Sequence, residues 1–105
     1  MNGNVRYVKN IRIIKHENEP DLMAVKAIGV AVINNLINPV LVPKKYTEAP
    51  PDGILELDFI LLPYGDDIPD VEMEVDVILK LKNLPPWVKG LKINASENSD
   101  IELIE

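Results

Sequence analysis

Few side chains in this sequence are of a type that does chemistry. His16 is the only imidazole, and it stands beside Glu17 and Glu19. A histidine next to carboxylates is the pairing that a general base or a metal ligand needs. With no second histidine to complete a metal pair, the pattern fits an exposed turn residue better. Cysteine is absent, which removes disulfides, thiolate zinc sites and cysteine nucleophiles. Thr47, Ser96 and Ser99 carry the only aliphatic hydroxyls, and none lies in a nucleophile motif; no glycine-rich loop is placed to cradle phosphate. Asp66, Asp67, Asp70 and Glu72 gather oxygen next to Gly65, which a divalent cation such as calcium could use. The calcium-loop spacing D-x-[DN]-x-[DN]-G is missing, so a solvated acidic turn is expected there. The expectation is a chain that is not an enzyme, with no catalytic residue, no metal site and no cofactor.

What remains are residues suited to recognition. In VEMEVDVILKLK, residues 71–82, charged and large aliphatic residues alternate. Val71, Met73, Val75, Val77, Leu79 and Leu81 share one face of an extended chain; Glu72, Glu74, Asp76, Ile78, Lys80 and Lys82 share the other. Glu56 and Asp58 are expected across a hairpin from the acidic half of this row, where like charges would crowd. Arg6, Arg12, Lys89 and Lys92 are the available counter-charges, and Lys80 and Lys82 continue the row with opposite sign. The acidic face is therefore expected to be solvated and balanced by ladders of opposite charge. Trp87, held by Pro85 and Pro86, suits either an interface anchor or a plug closing the end of the sheet. Tyr46 lies in KKYTEAPPDG, a segment suited to a contact arm. The candidate interaction residues are Glu56, Asp58, Glu72, Glu74, Asp76, Trp87 and Tyr46.

These residues must be positioned by one core. A chain of 105 residues suits a single domain spanning 1–105. Its 47% hydrophobic content with few aromatics implies a core of Ile, Val and Leu. The net charge of -6, from 17 acids against 11 bases, disfavours a nucleic-acid backbone and an anionic membrane surface as partners and favours a basic protein. MNGNVRYVKNIRIIKHENE lacks the apolar run of a signal peptide, which leads to the expectation of a cytoplasmic or virion-associated protein. Residues 22–33, interrupted by Lys26, are too short to cross a bilayer, which takes roughly 20 apolar residues. The composition has no Gln, one Thr and two Ser, and it leans on Lys, Glu, Ile and Val, as hyperthermophile chains do. Its ten Asn point equally to an A/T-rich genome.

Residues 4–15 alternate as a strand, with Val8 and Ile14 marking a bulge or twist. The segment 20–37 is ambiguous. As a helix it places Leu22, Val25, Gly29, Val32 and Leu36 on one face. Asn18 would cap it, Pro20 and Asp21 would lie in the first turn, and Asn34, Asn35 and Pro39 would stop it. As a strand it holds five β-branched residues between 25 and 33, but neither face is polar, so both would need cover. The helix is preferred. A short strand at 38–46 fits an edge, bounded by prolines. A strand follows at 54–62, a turn at 63–70, a long strand at 71–82 and strands near 88–93 and 101–105. The predicted class is α+β, one apolar helix packed on a curled antiparallel sheet of about five strands. At the level of element order alone this resembles hot-dog and cystatin-like layouts, which carries no function. The alternative is an all-β sandwich of about seven short strands.

Three functions fit. The first is a non-enzymatic structural or protein-interaction module that self-associates as a homo-oligomer, as a component of a larger assembly. The second is a carrier of an apolar ligand bound between helix and sheet, in space left by Ala24, Ala27, Gly29 and Ala31. The third is an acidic adaptor or inhibitor of a basic protein.

Overall fold

The computed structural model describes residues 3–15, 18–19 and 21–104, with the side chains of Asn4, Leu36 and Tyr64 excepted. Its elements are β1 (Gly3–Asn4), β2 (Tyr7–Lys15), β3 (Leu22–Pro43), β4 (Ile54–Lys82), β5 (Gly90–Asn94) and β6 (Ser99–Leu103). Among the described residues there is no helix, so the α+β expectation is overturned and the all-β alternative fits. The seven short strands expected in that alternative are replaced by six, two of them long.

The strands form one ladder in the order β2-β3-β4-β5-β6, with β1 beside β4. The two long strands fold this ladder into two layers. Residues 22–33 of β3 lie between β2 and residues 71–82 of β4, giving a three-stranded layer. Residues 37–43 of β3, the first part of β4, β5 and β6 give a four-stranded layer. The fold-over has a visible cause in the register. Ile33 faces Val71 and Ile37 faces Pro63, so four steps along β3 match eight along β4. Excess residues on one strand bend it and raise its twist, which is how strands pass from one layer of a sandwich to the other. The segment expected to turn the chain at 63–70 therefore does not reverse it. It is the outer arc of a corner.

The helix expected over 20–37 is instead the first half of β3. Strands covered on both sides read as continuous apolar runs, and here the inner side is fully covered and the outer side partly. Met23, Val25, Ala27, Ala31 and Ile33 face the opposite layer and are buried. On the outer side Ala24 and Val30 are buried as well. The stop signals Asn34 and Asn35 fall at the corner. Pro20 lies outside the described residues, as do His16 and Glu17.

The expectation of a purely antiparallel sheet also fails at one place. β5 pairs parallel with the start of β4, Ile54 facing Gly90 and Asp58 facing Asn94. Parallel neighbours need a long crossover. Here the rest of β4, which has crossed to the other layer, supplies it. The core between the layers is set by Phe59, Leu57, Leu61, Leu91, Ile93, Val5 and Val25, its largest fully buried side chains. Among the described residues no polar or charged one is buried.

The register of β2 against β3 slips between Val8 and Asn10. The slip leaves Lys9 without a partner on β3, and beside it Asn98 pairs with the Val8 backbone as a strand would. Its Oδ1 accepts from the Val8 N–H at 2.7 Å and its Nδ2 donates to the Val8 carbonyl at 3.1 Å. Nearby, the Ser96 and Glu97 N–H groups donate to the carbonyls of Val5 and Arg6. The turn before β6 thus fastens the N-terminal segment, and that fixes where Arg6 and Lys9 point.

Candidate functional site

The residues of 71–82 alternate as the sequence requires, and the layer gives each side a meaning. Val75 is buried against the opposite layer, while Val77, Leu79 and Leu81 are partly buried there. Glu72, Glu74, Asp76, Ile78, Lys80 and Lys82 point away from the core. Residues 71–82 pair with β3 on one side only. Among the described residues nothing pairs with the other side, so this segment is the free edge of the three-stranded layer.

The acidic row does not meet Glu56 and Asp58 across a hairpin, as expected. Both groups belong to β4, but the corner separates them into different layers, and they face opposite sides of the molecule. The predicted crowding of like charges is absent. Glu56 faces Lys92 in register and lies 3.8 Å from the Lys44 ammonium. The Asn94 amide nitrogen donates to Glu56 at 3.1 Å and to Asp58 at 3.2 Å. These carboxylates are occupied in holding β5 against β4.

On the other layer, Arg6 reaches Glu72 at 3.2 Å and Glu97 at 2.7 Å, and Lys9 reaches Glu74 at 3.1 Å. The Glu97 hydrogen bond, and then its charge, raise the Arg6 pKa above its ordinary value. Because β3 lies between β2 and residues 71–82, the Arg6–Glu72 and Lys9–Glu74 pairs must pass over it. Their aliphatic stems cover its outer side, where Val30 is buried. Such exposed pairs contribute little stability each. Their effect is positional, leaving Glu72 and Glu74 directed inward over the layer. Among the described residues Asp76, Lys80 and Lys82 form no ion pair. Arg12 faces Lys26 instead of an acid.

Trp87 and Tyr46 come together. Their rings meet edge to face at 5.5 Å between centroids, and both pack against the core. The Tyr46 hydroxyl accepts the Glu56 N–H at 3.1 Å. This pair closes the end of the four-stranded layer beside the turn at Gly53, whose φ of 69° is left-handed and whose surroundings leave 2.8 Å between a Cβ and the Trp87 carbonyl. Neither ring projects as a free anchor.

Asp67 accepts a hydrogen bond from the Asn35 amide at 3.3 Å across the corner. Among the described residues no group of three or more His, Cys, Asp or Glu side chains is placed to hold a metal ion.

The feature that the sequence reading did not anticipate lies beside the corner. Ile33, Ile37, Pro39, Ile68, Val71 and Met73 line an apolar groove of about 430 Å³ where the two layers part. Val71 and Met73 belong to the inward row, yet they are 43% and 42% exposed. The alternation of 71–82 marks Val71 and Met73 as inward but could not show that the opposite layer leaves them uncovered. By contrast, the space expected at Gly29 is filled by Val5 and Phe59, Ala24, Ala27 and Ala31 are buried, and among the described residues no helix bounds a ligand site there. No family model, no curated protein and no solved structure matches this chain.

Proposed function

We propose that this chain is a non-enzymatic structural or interaction module that self-associates. The observation that carries the reading is the free edge at 71–82 together with the uncovered inward residues Val71 and Met73 beside it. An unpaired edge offers a row of backbone donors and acceptors, and an adjoining apolar groove adds area to whatever pairs with it. The net charge of -6 and the scarcity of arginine direct the partner toward protein and away from nucleic acid or an anionic membrane. The acidic-adaptor reading is weaker, because the candidate carboxylates face two sides of the molecule and Glu72 and Glu74 already hold Arg6 and Lys9.

Native mass spectrometry over a dilution series tests this. The expected result is a discrete multimer that persists on dilution to low micromolar concentration. A bare monomer of 11.8 kDa at every concentration overturns it. One observation favours a second reading, the size and apolar lining of the groove, which fall within the range of small-ligand sites. Added mass retained on a monomer would favour that reading.

A further inference from the structure

The free edge carries its own complement. Along its outward row the acids come first and the bases last: Glu72, Glu74 and Asp76, then Ile78, then Lys80 and Lys82. We infer that a second copy of this chain docks on the edge antiparallel, about a two-fold axis through Ile78. Each position then faces the one equally far on the other side of Ile78. Glu74 meets Lys82 and Asp76 meets Lys80, each twice by symmetry, and Ile78 meets its own copy on the axis. The inward row matches too, Val75 with Leu81 and Val77 with Leu79. The proposal rests on the self-association reading above and names its surface and register.

Three observations select this arrangement. The sign reversal along the row makes the antiparallel copy attractive, whereas a parallel copy in register would set Glu against Glu and Lys against Lys. Asp76 and Lys80 form no ion pair among the described residues and gain partners. Ile78, 60% exposed in the middle of a charged row, becomes covered. The neighbouring two-fold through Val77 would pair Glu72 with Lys82 and Glu74 with Lys80, both acids already held by Arg6 and Lys9, and would set Asp76 against Ile78. The Ile78 register calls on one held acid, Glu74, beside the unpaired Asp76. In the Ile78 register, Pro85 of the second copy lies beside Val71 at the mouth of the apolar groove. The two three-stranded layers join into one layer of six strands.

The absence of native cysteine makes the register directly measurable. Residues directly opposite in an antiparallel pair have Cα atoms about 4.5–5.5 Å apart, within disulfide reach. The Ile78→Cys variant is expected to give a covalent dimer without reductant, and Val77→Cys is not. Lys80→Glu sets two acid pairs face to face and should raise the dimer Kd at least about tenfold. Asp76→Lys combined with Lys80→Glu should restore it, because the same two positions face each other. All these sites are on the outer face except Val77, so folding is preserved and is checked by circular dichroism. A covalent dimer from Val77→Cys instead, with no rescue by the double variant, overturns the register. A wild-type multimer whose Kd ignores Lys80→Glu overturns the edge while leaving self-association standing. A wild-type monomer overturns both.

Discussion

Phe59→Ala should lower the unfolding free energy by about 3–5 kcal/mol, the usual cost of removing a buried aromatic ring. Phe59 is the largest fully buried side chain among the described residues, at 1% exposure, and the only phenylalanine in the sequence. It stands on β4 and reaches the opposite layer at β3, so it spans the joint between the two halves of the folded ladder. The surrounding Leu57, Leu61 and Val25 are held by strand registers on both sides and cannot close the hole. Set against total stabilities of about 5–15 kcal/mol for a domain, this is a large fraction. Denaturant titration at one fixed protein concentration measures it, the fixed concentration holding any contribution from association constant. A loss below about 1 kcal/mol would mean that the layers do not depend on this ring.

Gly29→Val should destabilise by about 3 kcal/mol, at the upper end for overpacking. The sign is what makes the experiment informative. In an open strand, replacing Gly by a β-branched residue favours the strand. At Gly29 a Cβ would run into Val5, and it would stand 3.0 Å from the Tyr7 carbonyl oxygen and 3.2 Å from the Phe59 ring. Val5 is fully buried and the Tyr7 oxygen is backbone, so neither retreats cheaply. Only Phe59 offers relief. Gly29→Ala combined with Phe59→Leu should therefore cost less than the sum of the two single changes, with a coupling of about 0.5–3 kcal/mol. Strict additivity, or a stabilised Gly29→Val, would show that the layers are not in contact at this point.

The strands at 7–15, 54–62 and 71–82 were legible because each has one wet side, and alternation records that difference residue by residue. The stretch 22–33 was not, because its partly covered outer side is apolar as well, and alternation vanishes when both sides are. Its five β-branched residues, with a Gly that costs a helix, were the correct signal, and the 3-4 spacing, the alanines and the nearby Asn and Pro residues outweighed them. Gly29 looked like slack in a helix, whereas it is the point where Val5 and Phe59 cross β3. The segment 63–70 has every residue of a turn, yet it stays in the ladder, because a corner and a reversal use the same Gly, Pro and Asp residues and differ only in what lies opposite. The sequence could place Glu56 and Asp58 in a strand. It could not show that the corner would turn them away from Glu72, Glu74 and Asp76. The sign reversal in the outward row was plain in the sequence; that the row lies on a free edge required the strand order.

The register of β3 against β4 also gives the chain a direction of assembly. Pro43 faces Leu57 across a short loop, whereas Leu22 faces Lys82 across most of the chain. Loop-closure entropy rises with the length enclosed, so the rungs nearest the loop form most readily. The corner then interrupts the zipper, because the rungs from Ile33 and Val71 onward cannot simply extend those from Ile37 and Pro63. Pulse-labelled hydrogen exchange should find amides at 57–61 protected before those at 72–80; simultaneous protection would count against this order. Since non-local pairing is slow, the half carrying 71–82 stays unpaired longest. Partly folded chains thus expose that strand on both sides, and its split charge favours the antiparallel encounter between them over the parallel one.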